Sequence, residues 1–217
     1  MLEAELVDNI TQYLRKYQIR NTKEIHMGIG VPDISINIGA PKSMTLLSDY
    51  YLLLFVEYLS KNSGVTLCNL SECLSIDKSK AQSYLNQLVA KKIVVQKKDL
   101  IYINRKIFGL NLGKTISIEA KIKDWKSGIL QAQRYLMFSD YSYLALPNDK
   151  IRNVDLEQLN RVGIGLLSVN SIKVEEVVTP QQSQECDYKL KYIVTSSIIK
   201  DNMQVVKRKS DGIFSKL

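Results

Sequence analysis

The feature that most constrains this chain is the run Ile116-Ser-Ile-Glu-Ala-Lys-Ile-Lys-Asp-Trp125. Ile116, Ile118, Ala120 and Ile122 alternate with Ser117, Glu119, Lys121 and Lys123, a period of two that predicts a strand. A helix would separate Ile118 and Ile122 from Ile116 and Ala120 around its axis. On a strand, Glu119 and Lys121 project from one face, close together. Taken alone, this is a half-exposed strand with a charged outer face. It becomes chemistry only with a second acid, a metal and access for a substrate.

Two segments upstream bear on that search. Residues 2–17 predict a helix, with Leu6, Val7, Ile10, Tyr13, Leu14 and Tyr17 on one face. Glu3 lies one turn before Leu6 and Val7 and flanks this face, while Glu5 points further round. Residues 19–27 and 31–38 predict two strands about a turn at Gly28-Ile-Gly30. In the second, Ile34, Ile36 and Ile38 make a core face, and Val31, Asp33, Ser35 and Asn37 occupy the more polar side.

Composition narrows the class. Of 217 residues, 45% are hydrophobic, which argues for a folded chain. The longest apolar run, Tyr50 to Val56, is too short to span a bilayer, and the basic start and apolar core of a signal peptide are missing from Met1-Leu-Glu-Ala-Glu5; the expectation is a cytoplasmic protein without a membrane partner. Cys68, Cys73 and Cys186 read as reduced thiols. His26 is the single histidine, which excludes histidine triads and histidine-rich metal sites. The formal charge of +8 suits a polyanion, nucleic acid first.

After the break at Gly39-Ala-Pro-Lys-Ser43 the character changes. Residues 46–59 predict an apolar helix, 66–74 a second, and a third begins at an N-cap of Ser75 or Asp77. The third buries Ala81, Tyr84, Leu85, Leu88 and Val89 and turns Lys78, Lys80, Gln82, Ser83, Asn86 and Gln87 outward. Ile93–Gln96, a turn at Lys97-Lys98-Asp99, and Leu100–Ile103 form a hairpin pattern. Residues 43–106 resemble a winged helix-turn-helix domain, with Ile76–Ile93 as its recognition helix running into the wing. Nine Lys and Arg against five Asp and Glu give this span a net +4. Lys78, Lys80, Gln82, Ser83, Lys97 and Lys98 are its candidate DNA contacts, set against a winged helix used for protein contacts.

Downstream, residues 125–138 predict a helix with Ile129, Leu130, Gln133, Leu136 and Met137 near one face. Residues 141–146 predict a strand stopped by Pro147, residues 154–162 a helix, and residues 163–169 and 173–178 two strands. Gly163-Ile-Gly165 is not a phosphate loop, since no helix follows and no Lys-Ser/Thr closes it. Residues 188–199 fit either strand or helix, and Lys207-Arg-Lys209 reads as a solvated basic end.

Removing residues 43–106 leaves 21 residues between Asp33 and Glu119. Pro32-Asp33, then Glu119-Ala-Lys121 on the next strand, then a helix bearing Gln131, resembles the PD-(D/E)XK nuclease superfamily. That resemblance implies an α/β (α+β) restriction-endonuclease-like core, a central mixed sheet flanked by helices, over residues 1–42 and 107–180. The winged helix would be inserted at 43–106, with residues 181–217 a C-terminal extension. It also implies a Mg²⁺- or Mn²⁺-dependent endonuclease acting on DNA, double-stranded before single-stranded. Asp33, Glu119 and the Ala120 carbonyl would hold the metal, hard oxygen ligands suiting Mg²⁺ or Mn²⁺ and not zinc. Lys121 would orient or help deprotonate the attacking water, and Gln131 would hydrogen-bond the lysine, water or phosphate. Glu3 matches the first-helix acid of many members, with Glu5 as the fallback. Double-strand cutting would favour a homodimer. The alternative is a non-cleaving DNA-binding regulator or assembly protein on the same fold; such members lose at least one of the Asp, Glu and Lys that this chain retains.

Overall fold

The computed structural model describes residues 2–62, 64–104, 110–204 and 210–217. In chain order the elements are α1 (Glu3–Lys16), β1 (Arg20–Lys23), β2 (Ile34–Ile38), α2 (Tyr50–Lys61), β3 (Val65–Thr66), α3 (Leu67–Cys73), α4 (Lys78–Ala90), β4 (Val94–Lys97) and β5 (Leu100–Ile103). There follow β6 (Lys114–Ala120), α5 (Trp125–Tyr135), β7 (Tyr141–Pro147), α6 (Leu156–Val162), β8 (Gly165–Val169), β9 (Val174–Val178) and α7 (Tyr188–Asp201). They divide into two compact units, residues 1–46 with 112–217 and residues 47–111. No helix among the described residues is long and apolar enough to cross a membrane.

The first unit is a mixed α/β layer structure on a six-stranded sheet ordered β1-β2-β6-β7-β8-β9. β2 is antiparallel to both of its neighbours, β1 and β6; β6, β7 and β8 run parallel, and β9 returns antiparallel to β8. The parallel pairs follow from the helical crossovers α5 and α6, because parallel neighbours need a long return connection. On one face Leu6, Ile10 and Leu14 of α1 pack on Ile34, Ile36, Ile116, Ile118 and Tyr143. On the other, Ile129 and Ala132 of α5 pack on Leu144, Leu146 and Leu166.

Ser35, Asn37 and Ser117, expected on a more polar side, are all buried, as is Thr115. Three of the four bond inward: Asn37 Nδ2 donates to the Leu112 carbonyl at 2.8 Å, the Thr115 and Thr195 hydroxyls pair at 3.1 Å, and those of Ser117 and Ser139 at 2.6 Å, while the Ser35 hydroxyl has no partner among the described residues. Thr195 comes from α7. The segment that fitted strand or helix is therefore a helix, capped by Asp187 over Lys189 N and Leu190 N, and it belongs to this unit and not to an extension beyond it.

The chain leaves and rejoins the sheet at one place. Ile38 opposes Lys114, and Gly39 and Gly113 flank the pair at φ 94° and 67°. A Cβ on Gly113 would run into the Ile38 carbonyl and Ala40 N, so only glycine fits there. Ile107, the expected point of return, lies outside the described residues, as do Arg105, Lys106 and the Lys207–Lys209 run.

In the second unit α2, α3 and α4 accompany a three-stranded antiparallel sheet ordered β3-β5-β4. Asp49, Thr66 and Asp77 cap the three helices through backbone N–H groups, which selects Asp77 over Ser75. The unit spans 47–111 where 43–106 was expected, and its first helix begins at Tyr50 rather than Leu46, because Asp49 supplies the cap.

Other expectations shift. The two N-terminal strands shrink to β1 and β2, leaving Asp33 just outside the ladder. Val89 is 43% exposed at the end of α4 and is not part of its buried stripe. On α5 the buried positions are Gly128, Ile129, Ala132 and Tyr135, whereas Leu130 and Met137, expected inside, are 60% and 42% exposed.

Candidate active site

The site forms where β6 ends. Antiparallel pairing matches Ile34 with Ile118, so one residue further Asp33 stands opposite Glu119 on the same side of the sheet. On β6's other flank Lys121 N donates to the Ala145 carbonyl at 3.0 Å. Neighbouring residues of a strand turn their N–H and C=O to opposite edges, so those of Ala120 face Asp33. The Ala120 N–H donates to Asp33 Oδ2 at 2.7 Å.

Glu119 is 2% exposed, which rules out the half-exposed strand. Both of its oxygens are engaged: Lys121 Nζ lies 2.6 Å from Oε1, and the Tyr135 hydroxyl donates to Oε2 at 2.5 Å. The same hydroxyl lies 3.1 Å from the Val31 carbonyl, so Tyr135 ties α5 to both strands that carry the acids.

The electrostatics are unbalanced. Burial pushes the Asp33 carboxyl up to about 6, and the Glu119 and Glu3 charges add to it against the Ala120 hydrogen bond and Lys121. Burial pulls Lys121 down, but Glu119, Glu3 and Asp33 outweigh it and hold its ammonium above the ordinary lysine value. Lys121 is thus a fixed cation here, suited to stabilising charge and not to accepting a proton. Burial and the Glu119 carboxylate together hold the Tyr135 hydroxyl far above the ordinary tyrosine value, so it stays a donor.

Glu3 is exposed, yet its charge reaches both Asp33 and Lys121. Glu5, the fallback, instead accepts from Leu2 N at 2.8 Å at the start of α1. Gln131 stands on α5 between Gly128, whose added Cβ would touch Lys121 Cγ, and Tyr135, which holds Glu119. It shares their face by helical spacing, and its buried Oε1 has no hydrogen-bond partner. Among the described residues no group of three or more His, Cys, Asp or Glu is gathered tightly enough to hold a metal.

No family model matches this chain, and no curated protein matches it. A solved protein of unknown function from Silicibacter pomeroyi resembles it at 17% identity and a TM-score of 0.32. That match covers 42% of this chain and 59% of the other, so this chain spans less than two thirds of that protein's length.

Sequence reasoning missed Tyr135. Its signal was present: Gly128, Gln131 and Tyr135 follow one another at three and four residues, the spacing of a single helical face. In the second unit Lys78, Lys80, Gln82, Ser83, Lys97 and Lys98 are all exposed. Lys80 Nζ stands 4.9 Å from the Tyr51 ring centre and Lys97 Nζ 5.9 Å from that of Tyr102, while Gln82 donates to Asn86 at 2.9 Å. These contacts set the ammonium groups of Lys80 and Lys97 over aromatic rings.

Proposed function

We propose that the protein is a metal-dependent nuclease that hydrolyses DNA phosphodiester bonds. In this reading the first unit is a restriction-endonuclease-like core and the second a winged helix-turn-helix that holds the duplex. One observation supports it: at the end of β6 Asp33 accepts from the Ala120 N–H, while the adjacent Glu119 pairs with the part-buried ammonium of Lys121. The all-oxygen set of Asp33, Glu119 and the Ala120 carbonyl fits Mg²⁺ or Mn²⁺, and two carboxylates suffice because Mg²⁺ keeps waters and takes further oxygens from a substrate phosphate. Bound there, the ion would polarise the phosphate and lower the pKa of a coordinated water.

The chain's own groups supply the rest. Asp33 and Glu119 hold the ion. Lys121 neutralises charge that develops on the phosphate, since its raised pKa keeps it protonated. Gln131, with its unpartnered Oε1 on the site-facing side of α5, positions the water through an accepted hydrogen bond. Glu3 adds negative charge at the rim. Lys78, Lys80, Lys97 and Lys98, with Gln82 and Ser83, contact the duplex backbone and grooves.

The experiment is nicking of supercoiled plasmid with Mg²⁺ or Mn²⁺ against an EDTA control, with single-stranded DNA and RNA in parallel. Metal-dependent cleavage lost in Glu119→Gln supports the reading. Absence of cleavage of every substrate supports the second reading, a non-cleaving nucleic-acid-binding protein. One observation favours that alternative: Lys121 and Tyr135 already occupy both oxygens of Glu119.

A further inference from the structure

Next to Lys121 the same sheet edge opens into a cavity of about 190 Å³ lined by Lys123, Trp125, Leu146, Lys150 and Asn153. Its place follows from register. Ala120 pairs with Ala145 on parallel strands, so Leu146 lies across from Lys121, and Lys123 is two residues further along. Trp125 opens α5 and packs in part on the Ile129–Leu144 core. Lys150 and Asn153 come from the 3-10 turn Asn148–Asn153 that follows β7.

The lining has the chemistry of one nucleotide. Trp125 gives a flat apolar wall above the buried Leu146, Lys123 and Lys150 two ammonium groups, and Asn153 an amide that can donate and accept. The volume is below the ~300–1,000 Å³ of sites for drug-sized ligands and leaves room for one base but not for a base pair. Lys150 pairs with Asp149 at 2.8 Å, an exposed pair that the phosphate would have to displace, and Asp124 caps α5 by accepting from Ser127 N at 3.1 Å. Lys126 Nζ, 5.6 Å from the Trp125 ring centre, adds a third cation.

We propose that this cavity is a subsite for a single unpaired nucleotide flanking the cleaved phosphodiester. Its base lies against Trp125, Asn153 meets the base edge, and its phosphate sits between Lys123 and Lys150. The proposal rests on the nuclease reading of the adjoining site. It adds that one nucleotide is taken out of the helical stack, as enzymes that need a base exposed must arrange.

Trp125 is the chain's single tryptophan, so its emission reports on this cavity alone. The full chain is titrated with a short oligothymidylate in EDTA, so that no cleavage intrudes, and binding is followed in parallel by anisotropy of a labelled strand. Saturable quenching of Trp125 is expected. In Lys123→Ala/Lys150→Ala affinity falls about tenfold at low salt and the slope of log affinity against log salt shrinks by about 0.7, the share of one phosphate on a single strand. A blunt duplex of equal length quenches less. The subsite is overturned by no strand binding, by binding without a change in emission, by an unaltered double variant, or by a duplex that quenches equally. Quenching without metal-dependent cleavage leaves the subsite standing and removes the nuclease, whereas cleavage without quenching removes the subsite alone.

Discussion

β6 carries a buried carboxylate paired with a part-buried lysine at each end, and the two ends differ in charge balance. At its start Asp140 pairs with Lys191 at 2.7 Å and accepts from Thr115 N at 2.7 Å. At its finish Glu119 pairs with Lys121 at 2.6 Å, and Asp33 accepts from Ala120 N at 2.7 Å. The motif is the same, a backbone N–H of β6 bound to an acid beside a part-buried ammonium. At the start one acid meets one lysine and the charges cancel. At the finish the buried Glu119 and the part-buried Asp33, with Glu3 at the rim, meet one lysine, and burial, with the Glu119 and Glu3 charges adding to it, raises Asp33 to about 6. A neutral buried pair holds structure together. A pair with an extra carboxylate lacks a positive charge, which a divalent cation would supply on the proposed reading.

The largest expected effect separates the ends by function. Asp33→Asn or Glu119→Gln should abolish cleavage, and Lys121→Ala should reduce it by roughly 10²–10³-fold, the scale of losing one charge-stabilising group. Asp140→Asn should leave the turnover of the folded protein unchanged. Steady-state cleavage on each purified variant checks this.

The second effect separates them by stability. Asp140→Ala strands the Lys191 ammonium and the Thr115 N–H in a buried place, at a cost of about 3–5 kcal/mol. Its urea midpoint should fall accordingly. Tyr135→Phe removes one hydrogen bond to a charged acceptor and should cost about 1.5–3 kcal/mol by the same measurement.

The smallest effect is in pH dependence. Asp33 binds its proton more tightly in the folded state, with a value raised from 3.8 to about 6, so the native state loses stability as pH rises through that window. Asn keeps an acceptor for Ala120 N but cannot ionise. Asp33→Asn should therefore melt above wild type at pH 7 and match it at pH 4. Equal melting temperatures at both would remove the surplus of charge.

Much of the finishing end was legible in the sequence. Period-two alternation placed Glu119 and Lys121 on one face, and the isoleucines of residues 34–38 set β2 beside β6 with Asp33 opposite Glu119. Tyr135 was hidden because Leu130 and Met137, both exposed, drew the predicted α5 stripe onto the wrong face. Composition alone cannot tell an apolar residue that packs from one left in water. The starting end was less legible, since Asp140 and Lys191 lie 51 positions apart and no local period links them. α7 mixes buried Thr195 and Ser196 with Val194 and Ile198, which blurs its helical stripe. Those hydroxyl residues are tolerated because Asn37, Thr115 and Thr195 satisfy one another inside the fold, a pairing visible only in three dimensions.

Calorimetric titration of Mn²⁺ into the wild type, Asp33→Asn and Asp140→Asn at pH 7.5 tests the contrast between the two ends most directly. Uptake of Mn²⁺ by the wild type and Asp140→Asn, lost in Asp33→Asn, is the result expected if the finishing end of β6 is a cation site. No uptake by the wild type, or equal uptake by Asp33→Asn, would contradict it.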